Sequence, residues 1–122
     1  MTIKQVSVFL ENKTGRINEV TKTLSRHGIN MQAFSMAETA DFGLLRLIVP
    51  DVDRAVEVLR DASFAVMVTD VLRVTCPNTP GALSDVLERL AVNNIFIEYM
   101  YAFSDGDSAD VIIRPDNMEA AM

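Results

Sequence analysis

Asn12-Lys13-Thr14-Gly15-Arg16-Ile17 and, 66 residues later, Asn78-Thr79-Pro80-Gly81-Ala82-Leu83 are two versions of one phrase. Outward from it, the same offset lays Val20 on Val86, Leu24 on Leu90 and Ile29 on Ile95. With one residue removed from the loop between, Pro50-Asp51 falls on Pro115-Asp116 and Ala55 on Ala120. A correspondence that passes through turn, helix and strand in order marks an internal duplication.

Each copy reads as a small α+β unit. Val6, Val8 and Leu10 alternate with Gln5, Ser7 and Glu11, the pattern of a half-buried strand, and the quoted turn follows. Ile17, Val20, Thr21 and Leu24 recur at helical spacing until His27-Gly28 ends the helix, and a second strand runs from Asn30 to Ala37. Past a polar connection, Leu44 to Val49 is a third strand. Val52, Ala55, Val56 and Leu59 mark a second amphipathic helix, and Ala65 to Val68 closes the unit. The order βαββαβ is solved by an antiparallel sheet with both helices on one face, the ferredoxin-like architecture. The second copy repeats it with Val71 to Cys76, a helix carrying Leu83, Val86, Leu87 and Leu90, and strands from Ile95 to Phe103 and Ala109 to Arg114. Asp105-Gly106 is a hairpin signal between those strands. The expected division is residues 1–70 and 71–122, the second unit lacking most of its last helix and its fourth strand. Since that strand pairs with the first in such sheets, the edge from Leu72 to Cys76 is expected to need cover from another chain, in a homodimer.

Composition narrows the function. Apolar residues make up 49% and charged residues 23% of 122 residues, the balance of a packed globular chain. Eleven Lys and Arg against 17 Asp and Glu give a formal charge of −6, the wrong sign for a nucleic-acid partner. One cysteine and one histidine exclude an internal disulfide and a Cys/His metal cluster, and no apolar run is long enough for a membrane span. No cofactor is implied, and a cytoplasmic setting is expected.

The repeated junction is the one place where these residues suggest chemistry. A helix start leaves about four N–H groups without intrahelical partners and carries a partial positive charge, and a glycine there admits an anion. Asn12 or Asn78 could meet either charged end of a zwitterion. The same residues also fit a purely structural turn, with Thr79 capping a helix opened by Pro80.

The strand, Asn-x-x-Gly turn and helix, followed by Gly28-Ile29-Asn30 at the second strand, resemble the ACT domain, and two in tandem resemble small stand-alone proteins built of two such domains. The resemblance spans nearly the whole chain. It implies a regulatory sensor with no catalysis, binding a free amino acid where paired domains meet; a regulated enzyme and a transcriptional system are both open as receiver of the signal. Carried over by position, it implies ligand contacts from Asn12, Lys13, Thr14, Gly15 and Arg16, with Asn30 and Met31 at the second strand. Asn78, Thr79, Pro80, Gly81 and Ala82 correspond in the second copy. Phe96 replaces the equivalent of Asn30, and Thr14 replaces the family's frequent proline, so the two sites are expected to be unequal. Two other readings of the residues are an interaction module acting through an open sheet edge and an acyl-phosphate hydrolase using Lys13 to Arg16 as a phosphate loop.

Overall fold

A computed structural model describes residues 1–11, 13–38, 42–121 of the chain. Their elements are β1 (Thr2–Glu11), α1 (Arg16–Arg26), β2 (Ala33–Glu38), β3 (Phe42–Ile48), α2 (Val52–Asp61), β4 (Ala65–Pro77), α3 (Ala82–Val92), β5 (Ile97–Asp105), β6 (Ser108–Pro115) and the single turn α4 (Met118–Ala121). They form two compact units, a first of Lys4–Thr69 and a second of Met1–Ile3 with Asp70–Met122.

In the first unit the strand order is β2-β3-β1, followed by the first part of β4. β3 pairs antiparallel with both β1 and β2, matching Val6 with Leu47, Val8 with Leu45, and Phe34 with Leu47. Residues directly opposite share a face, so Val6, Val8, Leu10, Leu45 and Leu47 form one apolar layer. Val20 and Leu24 of α1 and Ala55 and Leu59 of α2 bury it. Asp51 caps α2 by accepting the Arg54 N–H at 3.2 Å. α1 ends as expected at His27-Gly28: with Gly28 at φ +68°, the Gly28 N–H reaches Ser25 O and the Ile29 N–H reaches Leu24 O.

In the second unit the second part of β4 pairs with β6, and β6 with β5, matching Leu72 with Ile113 and Val74 with Val111. Leu72, Cys76, Val111 and Ile113 lie under Leu90 of α3 and under Ile95. β4 is one unbroken strand, whereas the sequence reading ends a strand at Val68 and starts another at Val71. No Gly or Pro interrupts Ala65 to Cys76, and the run is rich in β-branched residues.

The edge expected to lie open from Leu72 is met by the chain itself. The Arg73 N–H donates to Met1 O at 2.8 Å, and the terminal ammonium donates back to Arg73 O at 3.3 Å. Such an exchange is the close pair of an antiparallel ladder. At Arg73 the N-terminal residues therefore stand where a fourth strand would pair.

On the other face of this sheet, Asp110 is buried between Arg73 and Thr75, whose hydroxyl donates to it at 2.6 Å. The Thr75 hydrogen bond and the Arg73 guanidinium hold its carboxyl below the ordinary carboxylate range. A depressed carboxylate contributes stability that is present above the unfolded value near 4 and is lost as pH falls through the lower folded value. Asp110→Asn should cost about 1–3 kcal/mol at pH 7, and the gap from wild type should shrink in urea melts taken progressively below about pH 4. A gap independent of pH would assign the loss to packing.

Candidate functional site

The two quoted junctions have the same backbone. Gly15 is the N-cap of α1 at φ +91° and Gly81 the N-cap of α3 at φ +87°. Thr79 does not cap, and Pro80 precedes the cap instead of opening the helix. In this left-handed conformation glycine is favoured, and at both positions a Cβ would meet nothing within 4 Å. Neither helix start carries a capping side-chain hydrogen bond. The Glu19 N–H donates to Gly15 O and the Asp85 N–H to Gly81 O, while the Arg16 and Ala82 N–H groups donate back to Lys13 O and Thr79 O; this leaves the amides of Ile17, Asn18, Leu83 and Ser84 without an intrahelical acceptor.

Each junction borders a cavity. The first, about 430 Å³, has Leu10, Ile17 and Met36 as its apolar wall and Glu11, Lys13, Thr14 and Arg16 as its polar one. Lys13 Nζ lies 2.9 Å from Glu11 Oε2, and this hydrogen-bonded cation holds the Glu11 carboxyl below its ordinary range. Arg16 is held from two sides: Nη1 donates to Glu19 Oε2, and the guanidinium lies 4.8 Å from the centre of the Phe64 ring. Its Nε is buried without a hydrogen-bond partner among the described residues. The second cavity, about 350 Å³, is lined by Thr79, Pro80 and Ala82 of the junction with Thr75, Cys76, Asp85, Val86 and Arg89.

The structure thus brings Lys13, Thr14 and Arg16 together around one cavity and Thr79, Pro80 and Ala82 around the other. Asn12 lies outside the described residues. Asn78 turns its amide toward the β5–β6 hairpin, donating from Nδ2 to Gly106 O at 3.5 Å, while its backbone N–H donates to Asp107 O. Asn30 and Met31 do not join the Gly15 junction of their own unit. They line a separate cavity of about 780 Å³ with Lys22 and Arg26, past the far end of an 11-residue helix roughly 16 Å long. Sequence reading missed Met36, Phe64, Asp85 and Arg89. Met36 and Phe64 reach the first junction only through strand register and tertiary packing, whereas Asp85 and Arg89 share an i, i+4 face of α3 that was legible.

No helix is long and apolar enough to cross a membrane, and no group of three or more His, Cys, Asp or Glu among the described residues could hold a metal. The sequence model of a family described as an ACT domain pair matches residues 1–122. No curated protein matches in sequence. A crystal structure of a Bacteroides thetaiotaomicron protein is 52% identical with a TM-score of 0.94, covering 99% of this chain and 84% of that one. The ligand-free regulatory subunit of aspartate kinase from Thermus thermophilus has a TM-score of 0.72 at 17% identity, covering 99% of this chain and 90% of that one. The corresponding subunit from Thermus flavus has 0.66 at 16%, with coverage of 99% and 90%. At these identities the Thermus proteins establish a shared fold.

Proposed function

This chain belongs to the ACT domain pair family over its whole length, and from that premise we propose that it is a cytoplasmic regulatory protein that catalyses no reaction, binds a free amino acid and passes occupancy to a regulated enzyme. The observation that carries the reading is Arg16, whose Nε is buried without a hydrogen-bond partner among the described residues, beside a cavity that also borders an uncapped helix start. A carboxylate entering there is met by first-turn amides and by that guanidinium. Glu11, ion-paired with Lys13, offers the countercharge for an ammonium. Leu10, Ile17 and Met36 leave an apolar wall for the side chain. The aspartate kinase regulatory subunits with this fold are themselves regulatory by name. Asn30 and Met31 of a neighbouring ACT-type unit are the remaining proposed contacts. The second junction, with Ala82 in place of Arg16, is the weaker site.

One observation favours the interaction-module reading as a second role: β2 and β5 each have a single strand neighbour and carry exposed apolar side chains. The deciding experiment is a thermal-stability screen of the whole chain against the common amino acids, with junction variants as described in the Discussion.

A further inference from the structure

Gly43 is buried in β3 and is not one of the glycines held at positive φ, so its backbone conformation does not call for glycine. Space does. A Cβ at this position would collide with Met36 Cε, whereas the next nearest atoms, Met36 Sδ and Ala37 O, would lie at 3.7 and 3.8 Å. Met36 is paired with Leu45, and Gly43 with Leu10. Leu10 and Leu45 belong to the apolar layer under the helices, so Met36 and the notch at Gly43 share that face. The methionine lies across the sheet with its methyl where a side chain at residue 43 would stand. It forms the apolar wall of the 430 Å³ cavity with Leu10 and Ile17, and both Ile17 and Met36 are exposed.

The second unit replaces both members of this pair. Cys76, the equivalent of Leu10, is paired with Ala109 where Leu10 is paired with Gly43. Ala102, 66 residues after Met36, is paired with Val111 as Met36 is with Leu45. The long side chain is present where the notch is open and absent where an alanine fills it. Among the described residues, none from β5 lines the second cavity.

The polar wall of the first cavity is already committed. Glu11 is ion-paired with Lys13, and Arg16 Nη1 donates to Glu19, leaving Arg16 Nε for a ligand carboxylate and Glu11 for its ammonium. The Thr14 hydroxyl and the apolar wall remain for the ligand's side chain. A charged side chain there would lose hydration without gaining a partner, and a glycine or alanine would leave Ile17 and Met36 uncovered. A thioether is flexible enough to follow apolar groups of differing shape.

We propose that Met36, seated on Gly43, is the specificity-determining residue of the first junction and selects a free amino acid whose side chain is apolar and at least as large as that of leucine. The assignment rests on amino-acid binding at that junction and names the class of ligand bound there. The second junction, with Ala102 and Ala109, lacks this selection.

The test titrates the whole chain by calorimetry with leucine, isoleucine, methionine and phenylalanine, and with glycine, alanine, serine, aspartate and lysine. The tightest ligand should come from the first set and bind at least about tenfold more tightly than any of the second. Met36→Ala should weaken that ligand about tenfold and change the affinity for alanine less than about twofold, while Met36→Leu keeps most of the preference. Gly43→Ala should also reduce the preference, by displacing the Met36 methyl into the cavity. Combined with Met36→Ala it should add nothing, because the atom it displaces is gone. The Cβ it introduces meets backbone only at ordinary contact distance, and unchanged melting of the ligand-free variants shows that the folds are intact. A tightest ligand from the second set, a preference that survives Met36→Ala, or equal effects of Gly43→Ala in both backgrounds would overturn the proposal while leaving amino-acid binding in place. Binding of no amino acid at all would sink both.

Discussion

Gly15→Asp should abolish stabilisation by an amino acid at the first junction, and Gly15→Asn should preserve most of it. At a hundred times its dissociation constant a ligand adds about 2.7 kcal/mol to unfolding stability, a melting shift of roughly ten degrees for a chain of this size. Both substitutions place a Cβ in open space at φ +91°, so they share one strain, which short polar side chains tolerate better than others. They differ by a single negative charge set where the ligand carboxylate is proposed to sit. Gly81→Asp and Gly81→Asn repeat the comparison at the second junction, where the effect should be smaller because Ala82 replaces Arg16. If Gly15→Asp, Gly81→Asp and their combination all shift with the ligand as wild type does, the carboxylate is not held at these helix starts. If no amino acid shifts wild type, the ligand class is wrong.

Deleting Met1–Ile3 should destabilise the second unit by about 2–4 kcal/mol and leave the first nearly untouched. The deletion removes the reciprocal pair with Arg73 and partial burial of Ile3, at about 1 kcal/mol per hydrogen bond and about 1–2 for the side chain. Hydrogen exchange resolves the two units: amides of β6 and α3 should lose protection while those of β3 and α2 keep theirs. Equal loss in both units would show that these residues support the chain generally. No loss would show that the Arg73 edge does not need them.

The duplication, the element order and both cores were legible because turn, helix period and strand alternation are local signals repeated twice. What escaped depends on distant residues. Asp70 looks like a break between copies, yet β4 runs through it, and nothing near Met1 announces that three residues complete a sheet formed after residue 70. Thr79 resembles a cap, but Gly81 takes that position because the chain must turn left-handed just before the helix. At the candidate site, Lys13, Thr14 and Arg16 came from the family resemblance, carried over by position. The stacking of Arg16 on Phe64, the rotation of Asn78 toward Gly106, and Met36 as a cavity wall follow from packing and register, which no short motif encodes.

The partnership of Met1 with Arg73 also sets a timetable. The two residues are 72 apart, so in synthesis, which proceeds at about 5–20 residues per second, the first three residues emerge long before the strand they join. From Lys4 onward β1 finds β3 as soon as residue 48 is free, and the first unit closes with contacts inside Lys4–Thr69. Met1–Ile3 meanwhile remain an unjoined strand end, waiting on a late, non-local closure of the slow kind. Chains arrested on the ribosome with residues up to about 70 exposed should resist protease across the first unit while a cleavage site placed at the N-terminus is still cut. Protection of that site before Arg73 has emerged would mean that the N-terminus has an earlier partner.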